Sequence, residues 1–241
     1  ADRVLYVGER TPEGGYTSTS YENFRDWEAS GVFAATGVTT GNSVTVVGEG
    51  PPERIRGEFV SAGYFDVIGV APALGRAIAP GEDEPGGPRT AVLSHGWWQS
   101  RFGGDATALG RTVLLNNEPH TIVGVMPAGF RSPWDTPQAW ISLHTAPRAF
   151  DRASRGFQAV MARMHPEQTI DGAQAEFEAL FAGLVTAYPE ENAGRGVWIF
   201  LLQDFLSERN RPFLLGLGTA VLLLLLIACA NVANLLLARV P

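Results

Sequence analysis

The sequence predicts an α+β fold: two βαβ-like halves form one α/β layer, a strand-rich subdomain is inserted between them, and one transmembrane helix follows. Residues 1–74 and 151–205 support the layer, because each contains the segment order strand, helix, strand. Residues 75–150 consist of short apolar runs separated by turns, which is typical of strands. The uncharged run at 213–238 predicts the final helix.

The first half, residues 1–74, is predicted from alternating apolar runs and turn residues. A Gly-Pro-Pro sequence at 50–52 separates two of its strands. Its predicted elements are a strand at Val4–Gly8, a helix ending near Ser30, strands at Val44–Val47 and Ile55–Val60, and a short helix at Tyr64–Ile68.

The helix in this half has a predicted start and a predicted buried face. Thr19, with Glu22 three residues later, predicts a capping box. Tyr21, Phe24 and Trp27 recur every three residues, which places them on one apolar face.

The inserted part, residues 75–150, begins with a loop at Pro80–Pro88 that is rich in acidic and turn-forming residues. We expect this loop to face solvent. A strand at Thr90–Ser94 and a helix at His95–Phe102 follow. Two further strands, Arg111–Leu115 and Thr121–Met126, are expected to pair across Asn116 and Asn117, because asparagine tolerates the positive φ that a tight hairpin turn requires.

The second half, residues 151–205, contains the clearest helix of the globular part. A strand at Phe157–Met164 precedes the helix at Ile170–Tyr188, and a strand at Val197–Gln203 follows it. The helix carries an apolar stripe at three- and four-residue spacing, which predicts packing against a sheet. The stripe consists of Ile170, Ala173, Phe177, Leu180, Phe181, Leu184 and Tyr188.

Residues 206–241 are predicted to form a stalk and the transmembrane helix. The uncharged run Phe213–Ala238 would make a helix of roughly 39 Å, enough for a bilayer core of about 30 Å. A buried soluble helix is the alternative, but Val221–Ile227 would then have to be buried on every face. Asn231 and Asn234 lie three residues apart and are expected to hydrogen-bond to neighbouring transmembrane helices, or alternatively to meet lipid headgroups.

Composition excludes several classes of function. A net charge of −7 argues against a nucleic-acid-binding surface. The only cysteine, Cys229, lies in the apolar run, so no disulfide framework is expected. The four histidines are too dispersed for a metal site, and no phosphate-binding loop occurs, so neither metal nor nucleotide cofactors are expected. Because the chain opens at Ala1 without a leader, it reads as part of a longer protein.

Three clusters in the inserted part allow a chemical interpretation and a structural one. Ser94 and His95 resemble a nucleophile and base, but chain neighbours seldom face one another. The acidic residues 82–84 could bind calcium, although their spacing favours a solvated loop. Trp97 and Trp98, with Arg101, could stack on a ligand, but we expect at least one indole to fill the core. No catalytic residue is therefore assigned.

Several short segments, in their order along the chain, resemble the MacB-like periplasmic core domain joined to an FtsX-like ABC transporter permease of the duplicated orphan type. Each segment alone is weak, but together they span nearly the whole chain. They are YENFRDW at 21–27, RIRGEFVS at 54–61, YFDVIGV at 64–70, ALGR at 73–76, AVLSHGW at 91–97, RFGGD at 101–105, TIVGVMPAGF at 121–130, YPEE at 188–191 and IACANVANLLLAR at 227–239.

The resemblance implies that the two halves form a porter-like subdomain outside the bacterial inner membrane, with residues 1 to about 212 on the periplasmic side. It implies a non-catalytic permease part that couples ATP-driven helix motion to export. The partners implied are an ABC ATPase subunit or domain, further permease helices in a dimer, a periplasmic adaptor and the lipid bilayer. An extracytoplasmic sensor domain of a receptor is the alternative, and the charges Arg209, Arg211 and Arg239 do not fix the orientation.

Overall fold

The computed structural model describes residues 3–48, 52–133, 136–143, 152–157 and 159–237. The strands in these ranges are β1 (Val4–Arg10), β2 (Tyr16–Thr17), β3 (Thr19–Ser20), β4 (Ala35–Val47), β5 (Glu53–Val60), β6 (Leu74–Gly75), β7 (Thr90–Leu93), β8 (Thr112–Leu115), β9 (Glu118–Val125), β10 (Ala139–Ser142), β11 (Arg155–Phe157), β12 (Ala159–Arg163) and β13 (Gly196–Leu201). The α-helices are α1 (Tyr21–Ser30), α2 (Tyr64–Ile68), α3 (His95–Phe102), α4 (Ile170–Ala187), α5 (Pro189–Asn192) and α6 (Leu202–Leu237).

The two predicted βαβ-like halves are interleaved in space. The sheet begins in the order β13-β1-β12-β4, with each neighbouring pair antiparallel. Strands β1 and β4, joined through α1, therefore run parallel on either side of β12. Strands β12 and β13, joined through α4, likewise run parallel on either side of β1. Each half is a split βαβ unit whose gap is filled by a strand of the other half.

The inserted strands continue the same sheet. The first residues of β4, from Ala35 to Thr39, pair with β12, whereas Thr39 to Val46 pair with β5. From β5 the sheet continues through β10, β7 and β9 to β6. The 13-residue strand β4 therefore runs from the layer of the two halves into the strand-rich part.

Helices α1 and α4 pack together over one face of the layer. Tyr21, Phe24 and Trp27 are all buried, which confirms the predicted apolar face of α1. The ring of Trp27 meets that of Phe177 edge-on, with 4.8 Å between centroids. Most of the α4 stripe is at least partly buried, but Tyr188 is exposed because the helix ends at Ala187.

The predicted start of α1 is wrong by one residue. Ser20 is the N-cap, and its hydroxyl accepts a hydrogen bond from the backbone N–H of Asn23 at 3.1 Å. Thr19 lies in β3 instead, where its hydroxyl donates to the buried carboxylate of Glu9 at 2.9 Å. Thr19 and Glu22 therefore form no capping box, because the Thr19 side chain is held by a contact that is distant in sequence.

The acidic loop at Pro80–Pro88 is exposed at Pro80, Pro88 and residues 84–86, as expected, but two of its three acidic residues do not face solvent. Glu82 and Asp83 are buried. Glu82 accepts two hydrogen bonds from the Arg76 guanidinium. These bonds are the main reason why the pKa of Glu82 lies below its ordinary value of 4.5. Asp83 accepts from the backbone N–H of Ala62 at 2.9 Å. Burial is tolerated because each carboxylate has a specific donor.

The predicted hairpin across Asn116 and Asn117 is confirmed. Strands β8 and β9 pair in a register that sets Leu115 opposite Glu118, so the two asparagines form the whole turn. Their φ angles are 50° and 68°, the left-handed values of a two-residue type I′ turn.

Helix α6 contains the predicted transmembrane run. Among the residues that the structure describes, no helix combines the length and apolar character that crossing a membrane requires. The span at 213–238 stays a prediction, and its last residue, Ala238, lies outside the described residues.

A close approach between α2 and β4 makes one glycine essential for packing. A Cβ on Gly37 would lie 2.7 Å from the Tyr64 Cα, whereas a Cβ on Gly41 of the same strand would meet nothing within 4 Å. We predict that Gly37→Ala lowers the free energy of unfolding by about 1–3 kcal/mol. Gly41→Ala, the matched control, should change it by less than about 0.5 kcal/mol. Urea unfolding followed by circular dichroism checks both values, and equal effects would contradict this packing.

Candidate functional site

The junction between the sheet and α6 is the strongest candidate for a functional site. Strand β13 ends at Leu201 and α6 begins at Leu202, so no loop separates them. Leu202 is buried in a core cluster with Val4 and Met161, and Leu206, one turn later, packs against the same cluster. The first turns of α6 are therefore part of the core of the globular part.

Five aromatic side chains surround this junction, and we call them the aromatic collar: Tyr6, Tyr16, Trp198, Phe200 and Phe205. Phe205 of α6 meets Tyr6 of β1 with 4.3 Å between ring centroids. Trp198 lies 4.8 Å from Tyr6, 5.2 Å from Tyr16 and 5.1 Å from Phe200. Such pairs contribute about 0.5–1.5 kcal/mol each beyond the area they bury. The collar therefore attaches α6 to β1, which lies between β13 and β12, as well as to β13.

The sequence of β1 makes room for the collar. Gly8 lies opposite Trp198 across the β1–β13 pair. A Cβ at this position would lie 2.5 Å from the indole ring, so only glycine leaves space for it. The indole N–H of Trp198 donates to the carbonyl oxygen of Glu9 at 2.9 Å, which connects the collar to the next residue of β1.

Glu9 is the centre of a second feature, the Glu9 network, formed by Glu9, Thr19, Asn23, Arg155 and Asn192. The Glu9 side chain is 0% exposed, and its carboxylate accepts from Arg155 Nε at 2.8 Å. Thr19 and Asn23 donate to the other oxygen at 2.9 and 2.8 Å. Asn192 accepts from both Arg155 and Asn23, at 2.9 and 3.0 Å. Every polar group at the centre of the network thus has a partner.

The Glu9 network joins five elements from both ends of the chain. Glu9 belongs to β1, Thr19 to β3, Asn23 to α1, Arg155 to β11 and Asn192 to α5. At its margin, Arg152 forms an ion pair with Asp26 at 2.7 Å and lies 3.7 Å from the ring centroid of Tyr188. A buried carboxylate stays charged at low cost only when it is paired and hydrogen-bonded, so the network holds these elements in one arrangement.

Our reading of the sequence did not identify the Glu9 network. Its members come from positions 9, 19, 23, 155 and 192, and no local motif connects them. The one available signal was the alternation along β1. Leu5, Val7 and Glu9 share one face of the strand, so a carboxylate follows two core residues on the inward side.

The chemical alternatives raised by the sequence are not assembled into a site. Ser94 caps α3 by accepting from the Trp97 backbone N–H, while the His95 ring packs edge-on against Trp98. Trp97 and Trp98 are buried in the core of the inserted part. Within the described ranges, no group of three or more His, Cys, Asp or Glu side chains could hold a metal ion.

The two asparagines predicted for helix packing lie in α6, but their side chains are outside the described part of the structure. The packing role of Asn231 and Asn234 therefore stays a prediction. What the described geometry shows is a long helix that follows a strand without a loop and packs against the core and the aromatic collar in its first turns.

Comparison with known proteins identifies the fold. A family model described as the MacB-like periplasmic core domain matches residues 1–180. The chain is similar to the periplasmic region of MacB from Actinobacillus actinomycetemcomitans, with 13% identity, a TM-score of 0.60 and coverage of 86% of this chain and 92% of that chain. No curated protein sequence matches.

Two further solved structures share the fold. The extracellular domain of the noncanonic ABC-type transporter YknZ from Gram-positive bacteria aligns with a TM-score of 0.56 and 13% identity, covering 81% of this chain and 99% of that one. A domain of a putative permease protein from Porphyromonas gingivalis aligns with a TM-score of 0.60 and 12% identity, covering 83% and 90%. At these identities the likeness concerns the fold alone.

The buried ion pair generates a stability prediction. Arg155→Met leaves the Glu9 carboxylate buried without its cation and should lower the free energy of unfolding by about 3–5 kcal/mol. Glu9→Gln combined with Arg155→Met should recover part of this loss, because no buried charge remains. The control Arg89→Ala breaks an ion pair with Glu118 whose partners are both partly exposed, and should cost less than about 1 kcal/mol. Urea denaturation measures all three, and equal costs for Arg155→Met and Arg89→Ala would refute the role of the network.

Proposed function

The chain belongs to the MacB-like periplasmic core domain family, and from this premise we propose that it is the extracytoplasmic part of an ABC transporter permease. In this proposal the chain is not an enzyme, and its work is to carry motion between the membrane and the periplasm. The observation that supports coupling is the loop-free passage from β13 into α6, with Leu202 buried in the core.

We propose that residues 213–238 cross the inner membrane, leaving residues 1 to about 212 on the periplasmic side. The support comes from exposure in the described part of α6. The seven consecutive large apolar side chains from Val221 to Ile227 are each 55–67% exposed. Seven consecutive helical residues cover every face of the helix. Large apolar side chains that are exposed on all of these faces require an apolar surrounding such as lipid.

Within this proposal, residues 1–74 and 151–205 act as the porter-like subdomain and residues 75–150 as the insertion. The proposed partners are an ABC ATPase subunit or domain, the other permease helices in a dimer, and a periplasmic adaptor. A helix of 36 residues is about 54 Å long. Its motion at the membrane would therefore reach the sheet through Leu202, Phe205 and Leu206.

Insertions into α6 test whether the helix transmits motion as a rigid rod. Four glycines inserted after Ser207 would leave the packed residues in place but break the rod, because each glycine is about 1 kcal/mol less favourable in a helix than alanine. Four alanines at the same point add about one turn and preserve rigidity. We predict that the glycine insertion abolishes ATP-dependent changes in hydrogen exchange of the outer domain, whereas the alanine insertion retains them.

The measurement uses the intact protein in lipid nanodiscs with its ATP-hydrolysing partner. ATP hydrolysis itself is the control, and it should continue in both variants. If the glycine insertion kept the full ATP-dependent exchange change, rigid coupling through α6 would be excluded.

The asparagines of α6 generate a separate prediction about assembly. Asn231 and Asn234 lie on one face of the helix, and hydrogen bonds between membrane helices contribute about 1–2 kcal/mol in model peptides. Replacing both with leucine should therefore reduce the fraction of assembled permease in detergent several-fold. Val232→Leu, which removes no polar group, is the matched control. Unchanged assembly of the double variant in size-exclusion chromatography would argue against the packing role.

A further inference from the structure

The described part of the chain contains three clusters of buried apolar side chains, and only one of them includes residues of α6. The first cluster lies beneath α1 and α4, and its buried members come from the two halves except for Leu143. The second contains Trp97 and Trp98 of α3, strands of the inserted part, and parts of β4 and β5. The third contains Leu202 of α6, and we call it the shared core, because the halves and the inserted part both contribute to it.

The shared core brings α6 and the inserted part into one packed unit. Leu202 is buried in it, and Leu206 packs against it one turn later. Val92 of β7 and Trp140 of β10 belong to the same cluster and are almost fully buried. A packed protein interior has few voids and low compressibility, so it transmits a displacement from one side of such a cluster to the other.

Helix α2 supplies more buried side chains to the shared core than any other element that the structure describes. Tyr64, Phe65 and Val67 are all buried there. The Phe65 ring meets the Trp140 ring edge-on with 6.3 Å between centroids, and the Trp140 ring lies 5.2 Å from that of Phe130. These rings form a continuous series from α2 through β10 to the loop that follows β9.

A hydrogen bond provides a second connection between α2 and this loop. The Tyr64 hydroxyl donates to the Ser132 hydroxyl at 3.0 Å, and both side chains are buried. Residues 127–133 are therefore attached to α2 both by an aromatic contact at Phe130 and by a polar contact at Ser132.

Helix α2 is also held against the layer at both of its ends. At its start, a Cβ on Gly63 would lie 2.2 Å from the carbonyl oxygen of Thr36 in β4, so only glycine permits this approach. At its end, Arg163 of β12 donates through Nε to the carbonyl oxygen of Val67 at 2.9 Å. A shift of α2 against the layer would break these contacts. The helix therefore follows β4 and β12 when those strands move.

We propose that α2 is a wedge that carries a displacement of α6 from the layer into the inserted part, and that residues 127–133 are the surface that it moves. The inference rests on the proposed transmitting role of α6, and it adds the element that takes the motion onward. A displacement of Leu202 shifts α2 within the shared core, and α2 in turn shifts Trp140 and Ser132. The alternative route is the backbone of β4 and β5, which also joins the two parts.

Hydrogen exchange of the intact protein in lipid nanodiscs with its ATP-hydrolysing partner, measured with and without ATP, tests this route. In the wild type we expect ATP to change the exchange of β1, of β10 and of residues 127–133. Phe65→Leu shortens the side chain that meets Trp140 while keeping it apolar. It should reduce the ATP-dependent change in β10 and at residues 127–133 by about twofold or more, and leave the change in β1 intact.

Phe177→Leu is the matched control, because it makes the same substitution at a fully buried phenylalanine of the cluster beneath α1 and α4. It should retain the ATP-dependent change in all three segments. If Phe65→Leu does not fold, Ile68→Ala takes its place, since Ile68 is a partly buried residue of α2 that packs against the shared core. The same loss is expected from this variant.

The possible failures are distinguishable. If ATP changed exchange nowhere in the outer domain of the wild type, the proposed function would fail and this inference with it. A change in β1 that does not extend to β10 and residues 127–133 would overturn the inference alone. An undiminished change in the α2 variant would also overturn it, because the motion would then pass along β4 and β5. An equal loss in Phe177→Leu would contradict the specific role of α2.

Discussion

Both edges of β1 are occupied by strands that lie about 150 or more residues further along the chain, and the rest of the architecture depends on this constraint. Strand β12 pairs with one edge of β1 and β13 with the other. The four-stranded layer can therefore form only after the whole inserted part has been synthesised. The inserted strands extend the sheet through β4 instead of interrupting it. Contacts this distant in sequence have a large loop-closure cost, which the buried faces of α1, α4 and the sheet offset together.

The position of β1 between β13 and β12 also explains how one long helix can be attached firmly to a small domain. Tyr6, Gly8 and Glu9 are close neighbours on this strand, and they contact Phe205, Trp198 and the Glu9 network respectively. A displacement of α6 would act on β13 and β1 together, and through Glu9 on α1 and α5.

Two buried glutamates show how burial is compensated in different ways in one chain. Glu9 is paired with a guanidinium and accepts from two further polar groups, Thr19 and Asn23, which is consistent with a fixed structural role. Glu58 has neutral partners instead: the Thr39 and Ser132 hydroxyls both donate to its carboxyl group, at 2.7 and 3.0 Å. The two carboxyl groups are therefore buried with different kinds of donor, a guanidinium at Glu9 and hydroxyl groups at Glu58.

The sequence by itself determined the local elements, because helix periodicity, strand alternation and turn residues act over a few positions. The α1 face, the α4 stripe and the Asn116–Asn117 turn are examples. The family was also evident from short segments in order. Only the tertiary structure decided the interleaving of the halves, the cap at Ser20, the burial of Glu82 and both glutamate clusters. Each of these depends on donors and strands that are distant in sequence, and no local pattern encodes which distant partner a polar group will meet.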